Sequence, residues 1–187
     1  VDVENAVSGD VNALPFLVNG SDNDLVTSGF QPVPGSCSGV GPVKVYSDAA
    51  LTTLVSSHFT IQAANDAATT LDGYFVTVEA GTYEENISIT KELDIRGPNF
   101  GINPNTGSRV AEAVIVPATI GATDAIFSIE ASNVSIEGFT INGDNSNLTS
   151  TWTGTNGADI DNGIAVYIGE SNINNMLISN NIIENVG

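Results

Sequence analysis

Basic residues, cysteine and long apolar runs are all scarce in this chain, and each scarcity excludes a class of protein. Only 4 of the 187 residues are Lys or Arg, against 22 Asp and Glu, so the formal net charge is −18. This charge repels the phosphates of nucleic acids and of anionic membranes, and we expect neither as a partner. The single cysteine, Cys37, cannot form an internal disulfide. No apolar run approaches the roughly 18 residues of a membrane-spanning helix, so membrane insertion is not expected.

The residues that are abundant indicate a folded extracellular protein. Hydrophobic residues make up 41% of the chain, which is enough for a core. A chain rich in Asn, Ser, Thr and Gly and poor in Lys is typical of extracellular bacterial proteins, and we predict an extracellular or cell-surface location. The chain begins with Val1 rather than Met, which indicates a processed product or an excerpt of a longer protein.

Several short strands are predicted from residue 76 onwards. The stretch VTVEAGTYEENISITKELDIRG alternates apolar with polar residues at 76–78, 87–89 and 93–95, as strands with one buried face do. The breaks at 80–82 and 90–92 contain no Asn-Gly or Asp-Gly turn. An antiparallel meander of three hairpin-linked strands is therefore not favoured.

The region before these strands predicts one helix and one strand pair. Residues 1–42 mix short apolar clusters with Pro, Gly, Asn and Asp, which indicates irregular backbone. A strand is predicted at VKVY (43–46), with a return at 51–55. The segment 60–71 has apolar residues on one helical face, and Thr60 or Ser57 can cap its start.

A degenerate repeat then runs through the rest of the chain. LDIRG (93–97) recurs as VSIEG (134–138) and MLISN (176–180), whose first residues lie 41 and then 42 positions further on. Two further pairs of segments align in the same way: 139–143 with 181–185, and 126–133 with 166–172. Turn-rich insertions at 97–113 and 143–163 are predicted to lie at the same phase of the repeat.

The repeat predicts an all-β fold, a right-handed parallel β-helix in which three short strands form one rung. The rungs span 74–187, and the helix at about 60–71 covers the apolar end of the first rung. The last rung is predicted to be open at the C-terminal end. We therefore expect either head-to-tail stacking of copies of this chain or contact with neighbouring repeat units of a longer one.

The residues of the first rungs also resemble a known family. The residues that carry the resemblance are Val76, Val78, Gly81, Tyr83, Glu85, Ile87, Ile89, Leu93, Ile95 and Gly97. They are similar to the opening of β-helix domains of the pectin-lyase-like superfamily, in the form found in large secreted or surface repeat proteins of Bacteroidota-type bacteria. The resemblance covers about 60–187, and residues 1–42 resemble the end of a preceding β-helix unit.

The resemblance implies an enzyme as one alternative. The superfamily contains pectate lyases, polygalacturonases and pectin methylesterases, but the QAVAL and LGRPW-like segments of the methylesterases are absent here. No Lys or Arg follows residue 109, so a lyase base is missing. Arg96 and Arg109 are interpreted as ion-pair partners, with Glu92 or Glu112 among their candidates. We assign no catalytic residue, and an enzyme would need further rungs beyond this sequence.

Four residues of the second insertion are candidates for ligand binding. Trp152, the only tryptophan, could stack on a sugar ring. Asp144, Asp159 and Asp161 are the nearest match to the close group of Asp residues that inverting hydrolases of the resembled fold use, but they lie in a loop. The alternative is that Trp152 packs its own loop. A carbohydrate-binding module is therefore a further alternative function.

Two Asp-rich runs are candidates for calcium. Asp22 and Asp24 lie in one run, and Asp159 and Asp161 in the other, and both supply the carboxylate and amide oxygens that Ca²⁺ prefers. Neither run has the spacing of a calcium-binding loop that ends in Glu, and ordinary turn formation explains both. No cofactor is required by the sequence. The primary prediction is a structural or adhesive module that displays loops 98–112 and 143–163 on one side.

Overall fold

Short strands dominate the part of the chain that the structure describes. The computed structural model describes residues 40–154, 157, 159–169 and 172–187, except for the side chains of residues 122 and 123. Asp22 and Asp24 lie outside the described residues, with most of the segment 1–42. The elements are β1 (Val43–Tyr46), β2 (Leu54–His58), α1 (Ile61–Asp66), β3 (Tyr74–Val78), β4 (Gly81–Glu84), β5 (Ile87–Ile89), β6 (Leu93–Arg96), β7 (Ala113–Val116), β8 (Gly121–Ile129), β9 (Ser135–Glu137), β10 (Thr140–Asn142), β11 (Asn162–Ile168), β12 (Leu177–Ser179) and β13 (Ile182–Glu184).

From β3 onwards, every third strand joins the same sheet. Strands β3, β6, β9 and β12 are neighbours in the first sheet, β4, β7, β10 and β13 in the second, and β5, β8 and β11 in the third. All of these neighbours pair in parallel. The chain thus visits the three sheets in turn and returns to the first, which is the connectivity of a parallel β-helix. The predicted all-β fold with parallel strands is confirmed, and the right hand of the coil stays a prediction.

The repeat in the sequence coincides with the register of the sheets. Ile136 pairs with Ile95 on one side and with Ile178 on the other. In the second sheet, Ile141 pairs with Ile183 of the following rung. Each predicted alignment therefore places equivalent residues on adjacent strands.

One strand of the first rung was predicted to be a break. The segment 80–82 was expected to separate two strands, but β4 covers Gly81–Glu84 and pairs with β7. Of its four residues only Tyr83 is buried, so apolar alternation cannot indicate this strand. The first rung consists of β3, β4 and β5, and Leu93 begins the second rung.

The two insertions lie at different corners of the coil, so the prediction that they share one phase of the repeat is wrong, whereas their display on one side stays a prediction. Residues 97–112 connect the first sheet to the second, between β6 and β7. Residues 143–161 connect the second sheet to the third, between β10 and β11. The spacing between repeat copies measures the length of a repeat, but it does not reveal at which bend the additional residues leave it.

A hairpin and a helix cover the first rung. Strand β1 pairs antiparallel with β2 and with β3, and so continues the first sheet beyond the first rung. The strand at 43–46 is confirmed, whereas its return begins at Leu54 rather than at residue 51. The carboxylate of Asp48 accepts hydrogen bonds from the backbone N–H groups of Thr52 (3.2 Å) and Thr53 (2.8 Å), which holds these residues in a turn.

The helix is shorter than predicted. It starts as expected, because the Thr60 hydroxyl accepts a hydrogen bond from the Ala63 N–H (3.1 Å). It ends at Asp66, whereas the prediction extended to Leu71, whose side chain is 54% exposed. The Thr70 hydroxyl donates to the carbonyl of Ala64 (2.7 Å), so a side chain rather than a further turn satisfies that group.

Hydrogen bonds from side chains join the first rung to α1. The buried carboxylate of Glu85 accepts hydrogen bonds from the N–H groups of Ile61 and Gln62, both at 2.9 Å. The amide of Gln62 accepts from the Ser88 N–H (2.7 Å) and donates to the Ser88 carbonyl (3.3 Å). This amide therefore takes the place that a neighbouring strand would have on the outer edge of β5.

The apolar core includes several columns of inward-facing residues, and three of them, one from each sheet, run from the first rung to the last strands. These three columns are Val76, Ile95, Ile136 and Ile178; Tyr83, Ile115, Ile141 and Ile183; and Ile89, Ile129 and Ile168. All members before the last are at most 7% exposed, whereas Ile178, Ile183 and Ile168 are 37%, 47% and 47% exposed. Burial is therefore complete inside the stack and is lost at its last strands.

Candidate functional site

The segment that carries the predicted ligand-binding residues is pinned to the coil at both ends. The buried side chain of Asn145 donates to the carbonyl of Pro117 (2.8 Å). The N–H of Asn145 donates to Oδ2 of Asp161 (2.9 Å), which joins the start of the loop to its end. The carbonyl of Gly143 accepts from the N–H groups of Asp161 (2.9 Å) and Asn162 (3.0 Å).

A short antiparallel arch places Trp152 at the surface. Thr153 and Asp159 form a β-bridge, and the Ile160 N–H donates to the carbonyl of Trp152 (3.0 Å). The Ser150 hydroxyl crosses the arch and donates to the carbonyl of Ile160 (2.7 Å). The Trp152 side chain remains 44% exposed, so the backbone is held while the ring stays accessible.

A small open cavity of about 100 Å³ lies between the arch and Ile120, beside Trp152. Its walls are Ile120, Ser150, Thr151, Trp152, Ile160 and Asp161. A water molecule occupies about 30 Å³ in the liquid, so the space suits a group of a few heavy atoms. The walls combine an aromatic ring, two aliphatic side chains and one carboxylate.

Asp161 is the unusual member of this set. Its side chain is fully buried, and Oδ2 is the acceptor for the Asn145 N–H. Its other oxygen, Oδ1, is also buried and has no hydrogen-bond partner among the residues that the structure describes. A buried polar atom without a partner costs about 1–3 kcal/mol, and more when the group is charged.

The other two predicted carboxylates have different surroundings. Asp159 is partly buried, and its Oδ2 accepts a hydrogen bond from the Ser150 N–H (2.9 Å). Burial raises the pKa of Asp144 above its usual value, and the negative charges of Asp159 and Asp161 raise it further. The carboxylate of Asp144 therefore lies close enough to be repelled by those of Asp159 and Asp161.

In the described part of the chain, none of the four basic side chains forms an ion pair with a carboxylate of this loop. Lys44 pairs with Glu79, Arg96 with Asp94 and Arg109 with Glu112. The fourth basic residue, Lys91, donates to the carbonyls of Asn65 (2.6 Å) and Ala67 (2.8 Å) at the end of α1. The expected partner Glu112 is confirmed for Arg109, whereas Arg96 pairs with Asp94 instead of Glu92.

The structure thus brings together the predicted residues Trp152 and Asp161, and it places Asp144 and Asp159 in the same loop but not in the cavity walls. Sequence reasoning missed Ile120, Ser150 and Ile160. Ile120 precedes β8 and is separated from Trp152 by more than thirty positions, so no local pattern could indicate that both line one cavity.

A larger groove lies on the outer face of the third sheet and was also not predicted. Its volume is about 390 Å³, and it runs beside Ser88, Ser128 and Tyr167. These three residues are in register on β5, β8 and β11. The polar lining includes Asn86, whose Oδ1 accepts from the Thr119 N–H (3.2 Å).

Metal binding is not supported by an evident cluster. Within residues 40–187, leaving aside the five that the structure omits there, no three or more His, Cys, Asp or Glu side chains are arranged to hold a metal ion. Calcium binding by Asp159 and Asp161 stays a prediction, and Asp22 and Asp24 lie outside the described residues. No helix in the described ranges has the length and apolar character needed to cross a membrane.

Comparison with known proteins adds no relative. No family model, curated protein or solved structure matches this chain. The resemblance to the pectin-lyase-like superfamily therefore stays a prediction.

Proposed function

We propose that this chain is a structural or adhesive module of an extracellular bacterial protein, and that another β-helix rung stacks on its open end. The observation that carries the proposal is the exposure of Ile178, Ile183 and Ile168, whose equivalents in the preceding rungs are buried. An isoleucine side chain gains about 1.5–3 kcal/mol on full burial. A further rung would recover part of this free energy in all three columns at once.

The two ends of the stack differ in a way that supports directional assembly. At the first rung, β1 and β2 extend the first sheet and Gln62 occupies the edge of β5. At the other end of the stack, the outermost strands are β12 and β13 of the fourth rung and β11 of the third. Exposed strand edges with apolar neighbours are surfaces to which other strands add. Head-to-tail contact of this kind produces a filament when the rotation does not close a ring.

The chemistry of the basic residues agrees with a structural role. Arg96 and Arg109 form ion pairs with Asp94 and Glu112, as expected of residues that do not act as a base. Arg109 also donates to the carbonyls of Asn180 (2.8 Å) and Phe139 (3.3 Å). These contacts connect the 97–112 loop to the two later rungs, so the guanidinium group of Arg109 has a structural role.

The location and the kind of protein follow from composition and from the resemblance. The acidic, Lys-poor composition with a net charge of −18 favours a secreted or surface protein that stays soluble. The rung pattern favours a module of the pectin-lyase-like type in a large repeat protein of Bacteroidota-type bacteria. In such a protein the next rung comes either from a second copy or from the neighbouring unit of the same chain.

Sedimentation velocity and electron microscopy at several concentrations test self-stacking. We expect concentration-dependent oligomers and fibres for the wild type. Ile183→Lys should raise the dissociation constant at least about ten-fold, because the new ammonium group would be buried without a partner. Val110→Lys is the matched control, since Val110 is exposed on the lateral loop 97–112. It should assemble like the wild type.

A third variant separates head-to-tail contact from tail-to-tail contact. Leu54 is half exposed on β2, at the opposite end of the first sheet. Leu54→Lys should weaken a head-to-tail contact as strongly as Ile183→Lys does, but it should leave a tail-to-tail dimer unchanged. Monodisperse wild-type monomers at all concentrations would show that copies of this chain do not stack on each other.

A further inference from the structure

We propose that the cavity beside Trp152 binds an alkylammonium group, such as the end of a lysine side chain or a free primary amine, with Asp161 as its anionic partner. This inference concerns a small-ligand site and does not depend on rung stacking. Oδ1 of Asp161 is buried and has no hydrogen-bond partner within the described part of the chain. The residue also forms part of the cavity wall.

The walls of the cavity match the two parts of such a ligand. Ile120 and Ile160 offer aliphatic surface for methylene groups. Trp152 offers an aromatic ring, and cations bind to the face of tryptophan with about 0.5–2 kcal/mol, depending on desolvation. An ammonium group carries three N–H donors and one positive charge, so it can satisfy a carboxylate oxygen that lacks a partner.

The electrostatics of the loop favour a cation from outside. Asp144 and Asp159 lie near Asp161 and add negative charge. The chain's own four basic residues are engaged by Glu79, Asp94, Glu112 and the carbonyls at the end of α1. A cation that enters the cavity therefore meets an uncompensated negative field.

Two other ligands fit less well. Calcium takes six to eight oxygen ligands, whereas three of the six wall residues are Ile120, Trp152 and Ile160. A neutral sugar could stack on Trp152 and donate a hydroxyl to Asp161, but it would leave the negative charge of the loop unbalanced. The alkylammonium group alone uses the aromatic wall, the aliphatic walls and the carboxylate together.

The fluorescence of Trp152 is a direct reporter, because it is the only tryptophan in the chain. The probe is n-butylammonium chloride, titrated at constant ionic strength against sodium chloride. We expect a saturable change in Trp152 emission. The isosteric neutral compound n-butanol should produce no saturable change at the same concentrations.

Variants with matched charge locate the effect. Asp161→Asn keeps an oxygen for the Asn145 N–H but loses the charge, and it should weaken n-butylammonium binding at least about ten-fold. Asp144→Asn removes the same charge from the same loop without altering the walls, and it should change binding less than about three-fold. Near-ultraviolet circular dichroism establishes that both variants are folded.

A second pair of variants tests the proposal without changing Asp161. Ile120 is about half exposed at the cavity wall. Ile120→Lys should bring an ammonium group to the cavity from the chain itself, so n-butylammonium should no longer bind. Ile120→Gln, a polar but uncharged change, should retain most of the binding.

The source of the amine is distinguished by two further ligands. Nα-acetyl-lysine-methylamide represents a lysine within a protein, and propane-1,3-diamine represents a free amine. Tighter binding of one identifies the source. The proposal is overturned if n-butanol binds as well as n-butylammonium, or if Asp161→Asn behaves like Asp144→Asn. It is also overturned if calcium chloride or a neutral monosaccharide alone gives the saturable change.

Discussion

Replacing Glu85 should detach the capping helix from the stack. Its carboxylate is the acceptor for the N–H groups of Ile61 and Gln62, both at 2.9 Å, and the side chain is only 7% exposed. In Glu85→Ala both donors lose their partner, at about 1–3 kcal/mol each. Part of this cost is offset, because the variant no longer has to remove the Glu85 carboxyl group from water. We therefore expect a net loss of about 2–3 kcal/mol in the free energy of unfolding.

The pH dependence of this loss has a definite sign. Burial raises the pKa of Glu85 above its usual value, although the two backbone hydrogen bonds oppose the shift. The folded protein then binds this proton more tightly than the unfolded chain does. The stability that this tighter proton binding adds is fully present below the unfolded pKa of Glu85, near 4.5. It is lost as the pH rises through the raised folded pKa. The cost of Glu85→Ala should therefore be larger at pH 5 than at pH 8.

Urea unfolding at the two pH values measures the effect, and hydrogen exchange at the amides of Ile61 and Gln62 localises it. Glu84→Ala is the matched control, since Glu84 is the preceding residue and is exposed. Its cost should stay within about 0.5 kcal/mol. A cost for Glu85→Ala that is equally small, or that grows as the pH rises, would refute the reasoning.

Two further predictions concern the bends and the lateral loop. A Cβ at Gly138, where φ is +86°, would lie 2.3 Å from the backbone nitrogen of Phe100. Gly138→Ala should therefore lower the free energy of unfolding, measured by thermal unfolding, by more than about 2 kcal/mol. Gly157→Ala, with φ +90° but open space around the new Cβ, should cost about 1 kcal/mol, and equal costs would contradict the steric argument. Arg109→Lys cannot reproduce the five-donor fork and should lower stability by about 1–3 kcal/mol in urea unfolding. A neutral Arg109→Lys would mean that the loop is held by other contacts.

The sequence by itself determined the elements that depend on local periodicity. Alternation around Leu93, Val134 and Met176 located three strands of the first sheet, and the register of Ile95, Ile136 and Ile178 confirmed it. Such strands can be predicted from the sequence, because every second residue points inward and must be apolar. The sequence offered Thr60 and Ser57 as helix caps, since a cap accepts from a donor only two or three residues away, and Thr60 is the one that caps the helix.

The tertiary structure decided whatever depends on contacts between distant residues. Strand β4 has one buried residue, and it is a strand because β7 pairs with it. The helix ends at Asp66 although its apolar pattern continues, because Thr70 and Lys91 supply partners for the final carbonyls. The cavity at Trp152 has Ile120, from another corner of the coil, in its wall. That Oδ1 of Asp161 is buried without a hydrogen-bond partner among the described residues is likewise a property of the folded chain. Periodicity specifies which face of a segment is buried, whereas long-range packing and hydrogen bonding decide where an element ends and which side chains meet.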